Sequence, residues 1–417
     1  MLKNIFKLPY RNYILNKIRN IDDNLYDISK TTKILFIYTD TYGFSCQVPI
    51  IQALETKSNV YIRVTTEKNI PLGKIQCSTE LEQNIFNKYY IHQKRATFSK
   101  WHLILDTHLN SFYPKRNALR IGMHHGPGFG ILGSKIHLVQ NYDIFLGLSQ
   151  IERYFLEQIK PDVFTGNRAF FAAGFPKVDS LINQTLTKSK IYVRFKLKDK
   201  PTIIITSHWQ PTSTLGTFGS EVFELIASNL PDYNVIQTGH PWLWKGHKQI
   251  PDFDSHELIQ KLNIVADKYQ NAFFLPNENA KDLLQIADLL IADHSSIITT
   301  YCLLDKPIVW FDNPEVNFAI PEIREAYKNA SCTFSDIENL PEICLHALVN
   351  PDEKKRGRKI MRDIFYTTPG KSAKHIAKLL MAIGPTCSTD SPNWPNIVKL
   401  SQQEEHLPKP IENFFSE

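Results

Sequence analysis

The strongest constraint on what this chain can fold into is a series of short apolar runs spaced by helix-length polar segments. KILFIY (33–38), VYIRVT (60–65), WHLILD (101–106), LRIGMHH (119–125), DIFLGLS (143–149) and FFAAGF (170–175) form a first group. TIIITSH (202–208), YNVIQTGH (233–240), NAFFLP (271–276), DLLIAD (288–293) and PIVWFD (307–312) form a second. A strand with one wet face alternates apolar and polar residues, whereas a strand covered on both faces need not. Near-continuous apolarity over strand length therefore predicts parallel sheets made of βαβ units. IERYFLEQI (151–159) and ENAKDLLQIA (278–287) have helical spacing, and GKSAKHIAKLLMAI (370–383) reads as a last helix closing the second group.

Between the groups the chain turns polar and lysine-rich at 182–200, which places a domain boundary there. A length of 417 residues also exceeds what one hydrophobic core usually supports. The expected organisation is a basic N-terminal segment (1–30), an α/β domain (31–185), a second α/β domain (186–385) and a tail (386–417) that crosses back or is loose. Each domain is expected to be a doubly wound, Rossmann-like parallel sheet, the two facing a cleft. In such sheets ligands bind beyond the carboxyl ends of the strands, so the residues at those ends are the ones to question.

Composition acts mainly by exclusion. Six scattered cysteines with no C-x-x-C pair argue against a disulfide framework or zinc knuckle and fit a reducing cytoplasm. No apolar run approaches the ~20 residues of a membrane span, and no signal-peptide pattern is present. A formal charge of +6 suits phosphate-bearing ligands. The aromatic signatures of RNA-binding modules are absent, and no nucleic-acid partner is expected. Residues 1–20 carry Lys3, Lys7, Arg11, Lys17 and Arg19 and no acid, interleaved with apolar and aromatic residues. Such a segment lies on an anionic membrane surface or packs on its own domain; Pro9 interrupts any single long helix.

At the end of the run 119–123 stand His124, His125, Gly126, Pro127, Gly128, Phe129 and Gly130. Glycines and a proline make a tight loop where backbone amides can approach a ligand, and histidine there can act as a general base. In the second group three runs end in histidine: His208, His240 and His294. Three imidazoles at neighbouring strand ends can converge on one crevice and donate hydrogen bonds to phosphate. A metal site is not expected, because no carboxylate or cysteine stands at ligand spacing. Asp293-His294-Ser295-Ser296 resembles a triad only as letters. Four consecutive residues cannot line up as nucleophile, base and orienter, and no G-x-S-x-G elbow is present. Ser295 and Ser296 instead open a helix, whose capped N-terminus is an anion site. Asp252-Phe253-Asp254 matches a metal-holding D-x-D only as letters, since it sits in a polar loop.

Taken together, these positions resemble the CDP-glycerol glycerophosphotransferase family, the polymerases and primases of teichoic acids and related bacterial capsules. The resemblance covers roughly residues 100–385. It rests on HHGPGFG (124–130), GFPKVDSL (174–181), GHP (239–241), DLLQIADLLIADHSSIITTYCLLDKPIVWFD (282–312) and PGKSAKHI (369–376). The resemblance implies a GT-B-like fold and transfer of a polyol phosphate, glycerol phosphate first, from a CDP-activated donor to a hydroxyl of a membrane-attached glycan. It implies a cytoplasmic enzyme, peripheral at the inner membrane face, that needs no cofactor or metal. By motif, His125 is the base for the acceptor hydroxyl, with His124, Gly126 and Gly128 forming the acceptor-side loop. His240 stabilises the pyrophosphate, and His208, Asp293, His294, Ser295, Ser296, Lys371 and Ser372 hold the donor's nucleotide and phosphates. The chain departs from the family pattern at His294, where tyrosine is usual, at Gln210, where an arginine is usual, and before the HP pair, where a Lys or Arg is usual and the chain reads Gln237-Thr238-Gly239; His208 and His294 are the candidates to replace the missing cations. A GT-B glycosyltransferase using a nucleotide sugar, and a binding module with no chemistry, are the competing readings.

Overall fold

The structure is a computed structural model that describes residues 13–14, 17–19, 31–67, 70, 75–109, 118–126, 132–183, 188–245, 255–276, 278, 280–318 and 320–403. They form two compact units. One comprises the described residues of Met1–Asp179 and Tyr366–Pro408, the other those of Ser180–Phe365.

The first unit is built on β1 (Thr32–Tyr38), β2 (Val60–Thr66), β3 (Leu103–Asp106), β4 (Leu119–Met123), β5 (Ile144–Gly147) and β6 (Ala169–Ala172). All pair in parallel, in the order β2-β1-β3-β4-β5-β6. The second unit is built on β7 (Thr202–Ile205), β8 (Asn234–Gln237), β9 (Ala272–Phe274), β10 (Leu289–Ala292), β11 (Ile308–Phe311) and β12 (Cys332–Phe334). These too are parallel, in the order β12-β11-β10-β7-β8-β9. Every residue of β1, β3, β5 to β8, β10 and β11 is buried, the outcome that continuous apolarity predicts for strands covered on both faces. Each fully buried Ile, Leu or Phe contributes about 2 kcal/mol, so these strands are held chiefly by burial. Of the four edge strands, β2, β9 and β12 are only partly buried, while β6 is buried throughout. The resulting architecture is GT-B-like, with two Rossmann-like units.

In both sheets the strand order reverses at an interior point. The first sheet winds outward from between β1 and β3, the second from between β7 and β10. At such a switch point, consecutive connections leave to opposite sides and open a crevice at the carboxyl ends.

The last helices lie elsewhere than their position in the chain suggests. The helix Ser372–Ile383 packs on the helix Thr41–Glu55, and Trp394–Gln403 packs on β6, so both belong to the first unit, not the second. The chain re-enters there with a hydrogen bond from the Thr367 amide to the Leu148 carbonyl, 2.9 Å. Gly174 (φ +89°) makes the approach possible, since a Cβ there would meet the Thr367 carbonyl oxygen at 2.4 Å. Apolar spacing shows that a helix has one buried face; it does not show which sheet that face covers.

Candidate active site

In the first unit the switch point brings together residues from the ends of β1 and β3. Asp40 follows β1, and Asp106-Thr107-His108 ends β3. Nε2–H of His108 donates to Asp40 Oδ2 at 2.8 Å. Asp40 Oδ1 also accepts the Gly43 amide at 2.9 Å, capping the helix Thr41–Glu55. Burial pushes the Asp40 carboxyl up, but the hydrogen bond and charge of His108 outweigh it and bring the group down to about 2. The helix lies tightly on this histidine: a Cβ on Gly43 would meet Thr107 Oγ1 at 2.3 Å and His108 Nδ1 at 2.6 Å. Buried Asp106 accepts the His108 amide at 2.9 Å and the Tyr142 hydroxyl at 2.8 Å.

His125, just past β4, lies flat on His108, with ring centroids 4.4 Å apart and planes 4° from parallel. Its Nδ1 is 3.3 Å from the Thr107 carbonyl oxygen. A carbonyl only accepts, so this nitrogen carries the hydrogen and the lone pair lies on Nε2. Burial, reinforced by His108 and His124, lowers the His125 imidazole to about 3, which keeps it neutral at physiological pH. A neutral ring with one nitrogen anchored and the other an acceptor has a lone pair available to take a proton. His124 is engaged otherwise: Nδ1 pairs with Oε1 of Glu152, whose Oε2 accepts the Leu148 amide at 2.6 Å. Glu152 is 1% exposed, so His124 is a tether for this strand end.

In the second unit the three histidines do come together. The His208 ring lies 4.7 Å from His294 and 5.7 Å from His240, centroid to centroid. Trp209 and Trp242 flank them, 5.1 Å apart. His240 Nδ1 accepts the Trp242 amide at 3.2 Å, which leaves Nε2–H as the donor of a neutral ring. His294 Nε2 is 2.8 Å from Gln210 Oε1, so two of the departures from the family pattern are hydrogen-bonded to each other. Burial lowers His208 to about 3, with His294 and His240 adding to the effect, and burial also lowers His294. His208 Nδ1 and His294 Nδ1 are buried with no hydrogen-bond partner among the described residues. Unpartnered buried polar atoms cost stability unless something meets them. Among the described residues no group of three or more His, Cys, Asp or Glu is placed to hold a metal ion.

Asp293 has a different place from the phosphate-facing one expected of it. It is 0% exposed. Its oxygens accept from Ser207 Oγ at 3.0 Å and from the amides of His208, Thr214 and Ser295 at 2.9, 3.0 and 3.2 Å. It clamps the turns after β7 and β10 from below. Ser296 stands at the start of the helix Ile297–Cys302 but makes no capping bond. Its backbone is already helical (φ −60°, ψ −5°), and a capping side chain normally reaches its amide from an extended residue. Ser295 and Ser296 are half-buried beside His294.

Lys371 and Ser372 are not with these groups. They lie in the first unit, where Lys371 is exposed and Ser372 buried. The amides of Ser372 and Ala373 donate to Asp179 at 3.1 and 2.7 Å, and the Ser372 hydroxyl donates to the Thr368 carbonyl at 3.2 Å. That helix start already has its anion, a buried carboxylate of the same chain. Gly126 is a half-buried bend residue with open space where a Cβ would stand. Gly128 and Asp252-Phe253-Asp254 lie outside the described residues, as does most of segment 1–20. Within that segment Arg19 is buried and donates to the Thr97 carbonyl at 2.8 Å, while Tyr13 and Ile18 are exposed.

Reading the sequence missed Asp40, His108, Glu152 and Ser207. Two of them carried a signal: YTD directly follows the first apolar run, and DTH ends the third. Both satisfy the rule that functional residues follow strands, but nothing in the sequence says that β1 and β3 are neighbours.

The family model described as CDP-Glycerol:Poly(glycerophosphate) glycerophosphotransferase matches residues 29–381. A teichoic acid poly(glycerol phosphate) polymerase of Bacillus spizizenii is 21% identical over 231 residues, 54% of this chain and 56% of that protein. The aligned region thus spans about half the length of that curated relative. Among solved structures, a variant of the wall teichoic acid polymerase TagF is 15% identical with a TM-score of 0.58, covering 91% of this chain and 98% of that one. A UDP-GlcNAc 2-epimerase from Neisseria meningitidis, bound to UDP-GlcNAc, is 13% identical with a TM-score of 0.55, covering 84% and 99%. At these identities the structural likeness speaks for the fold alone.

Proposed function

The chain belongs to the CDP-glycerol:poly(glycerophosphate) glycerophosphotransferase family, and from that premise we propose that it transfers glycerol phosphate from CDP-glycerol to a hydroxyl of a growing surface polymer of the teichoic-acid or capsule type. The observation that carries this reading is the family match across both sheets, 29–381. The chemistry of each unit agrees with it. In phosphoryl transfer the protein's work is mostly positioning and stabilising charge on phosphate oxygens. The second unit offers what a donor's pyrophosphate needs. Nε2 of the neutral His240 ring carries a hydrogen, and the buried Nδ1 of His208 meets no partner among the described residues, whereas His294 Nε2–H already donates to Gln210 Oε1 and leaves its Nδ1 an acceptor. With Asp293 turned onto backbone amides, its carboxylate is already engaged beneath the cluster.

The first unit supplies the base. As the acceptor oxygen bonds to the glycerol-bearing phosphorus, its proton passes to His125 Nε2, the bond from that phosphorus to the bridging oxygen breaks, and CMP leaves with the electron pair. This reading includes no cofactor or metal. It places the enzyme at the inner membrane face, where the acceptor is attached, with exposed Tyr13 and Ile18 marking the segment that meets an anionic surface. The test is incubation with CDP-glycerol and, separately, a panel of nucleotide sugars, using membranes that carry the acceptor. Label from CDP-glycerol should enter polymer with release of CMP. Turnover of a nucleotide sugar alone would sink the reading in favour of a glycosyltransferase.

A further inference from the structure

His108 is assigned no role by the reading above, yet it is the flat surface on which the base rests. Among the described residues, the Thr107 carbonyl is the one hydrogen-bond partner of the His125 ring, through a contact of 3.3 Å. One hydrogen bond leaves a ring free to swing about it, and the position of Nε2 depends on that swing. The second constraint is the His108 face, 4.4 Å away and within 4° of parallel. His108 is itself fixed by three groups from different elements: Asp40 at the start of the helix Thr41–Glu55, Asp106 at the end of β3, and the close-packed backbone of Gly43. These residues meet because β1 and β3 flank the switch point of this sheet.

We propose that His108, pinned by Asp40, is a positioning residue that holds the His125 ring in the plane and tautomer a general base requires. The inference rests on His125 being the base. The titratable and charged groups facing His125 support it. Asp40 favours the protonated ring, while His108 and His124 oppose it. His124 is tied to Glu152, and Asp106 is tied to the His108 amide and to the Tyr142 hydroxyl. The Cys46 thiol reaches the His125 carbonyl, 3.6 Å, and constrains the backbone, not the ring. Among the described residues, orientation of the ring is thus left to Thr107 and His108, and a displacement of the base by about 1 Å can lower a rate by about 10²-fold.

The experiment uses the full chain labelled with ¹⁵N-histidine, with His125→Ala to assign the His125 signals. In wild type the signals should show a single Nδ1–H tautomer with no substrate present. His108→Ala should average the two tautomers and lower kcat by about 10²-fold, with both KM values within about twofold. His108→Phe, which keeps a flat ring, should restore the tautomer and most of kcat. Asp40→Ala, which frees the His108 ring, should move both readouts in the direction of His108→Ala. A wild-type tautomer and rate in His108→Ala overturns the proposal, as does a His108→Phe variant as impaired as His108→Ala. If His108→Ala fails to fold, the tautomer in His108→Phe and Asp40→Ala decides the matter. Because the tautomer is read without donor, it answers even if the enzyme proves to use a nucleotide sugar, an outcome that fails only the functional reading.

Discussion

The two units solve the same topological problem with opposite electrostatics. Each sheet puts a carboxylate and a histidine at the ends of the two strands flanking its switch point: Asp40 and His108 in the first, Asp293 and His208 in the second. In the first unit the carboxylate meets the imidazole directly, side chain to side chain. In the second it accepts the histidine's backbone amide and three other donors, and the imidazole is left among other imidazoles. A carboxylate on the ring side suits a site where a proton must be received. A carboxylate turned beneath leaves a site able to take an anion. The lesson is that strand order selects where chemistry happens, while the hydrogen bonds of one acid decide which chemistry it is.

The contrast can be broken most directly at His125, the proposed base. His125→Ala should lower kcat by about 10³-fold, with donor KM little changed in steady-state assays. A loss appearing mainly in donor KM would mean that His125 handles phosphate and the division between units is wrong. His240→Ala removes one aligned donor from the second unit and should lower kcat by about 10²-fold, with weaker CDP-glycerol binding by calorimetry. Unaltered donor binding and kcat would remove the cluster from the donor site.

The two acids should differ in kind. Asp293→Ala strands four donors in a buried place and should lower unfolding free energy by about 4 kcal/mol in urea titrations. Asp40 is half-exposed, and its signature should be a pH window. Its folded value of about 2 lies below the unfolded ~3.9, so its contribution is present above pH ~3.9 and lost as pH falls toward 2. His125 and His208, at about 3 in the fold against ~6.5 unfolded, are also depressed. Their contribution is complete above pH ~6.5 and fades between ~6.5 and 3. Asp40→Asn should therefore flatten the lower window of stability against pH and, by removing a charge that favours protonated His125, deepen the upper one slightly, whereas His208→Asn should shrink the upper window and leave the lower. An unchanged lower window in Asp40→Asn, or a lower window altered by His208→Asn, would break the contrast.

Much of the fold was legible because it rests on local pattern. Eleven apolar runs became β1 to β11, within one to three residues at their ends, since a strand buried on both faces writes its burial into consecutive residues. The twelfth strand, Cys332–Phe334, was not, because an edge strand of three residues with only Phe334 buried has no such signature. In the site, His125, His208, His240 and His294 stood out as residues following strands, and the convergence of the last three was correctly anticipated.

Other features depended on which elements are neighbours, and no local pattern carries that information. The helix Ser372–Ile383 covers the first sheet because Asp179, nearly two hundred residues earlier, supplies the acceptors for its first amides. Asp293 became a clamp because the amides after β7 come within reach only once β10 pairs beside it. Asp40 became the partner of His108 because β1 and β3 are adjacent. The sequence by itself determined which segments are strands and which residues stand at their ends. The tertiary structure decided which of those ends meet, and a charge or hydrogen-bonding group acquires its role only from what lies within about 3 Å of it.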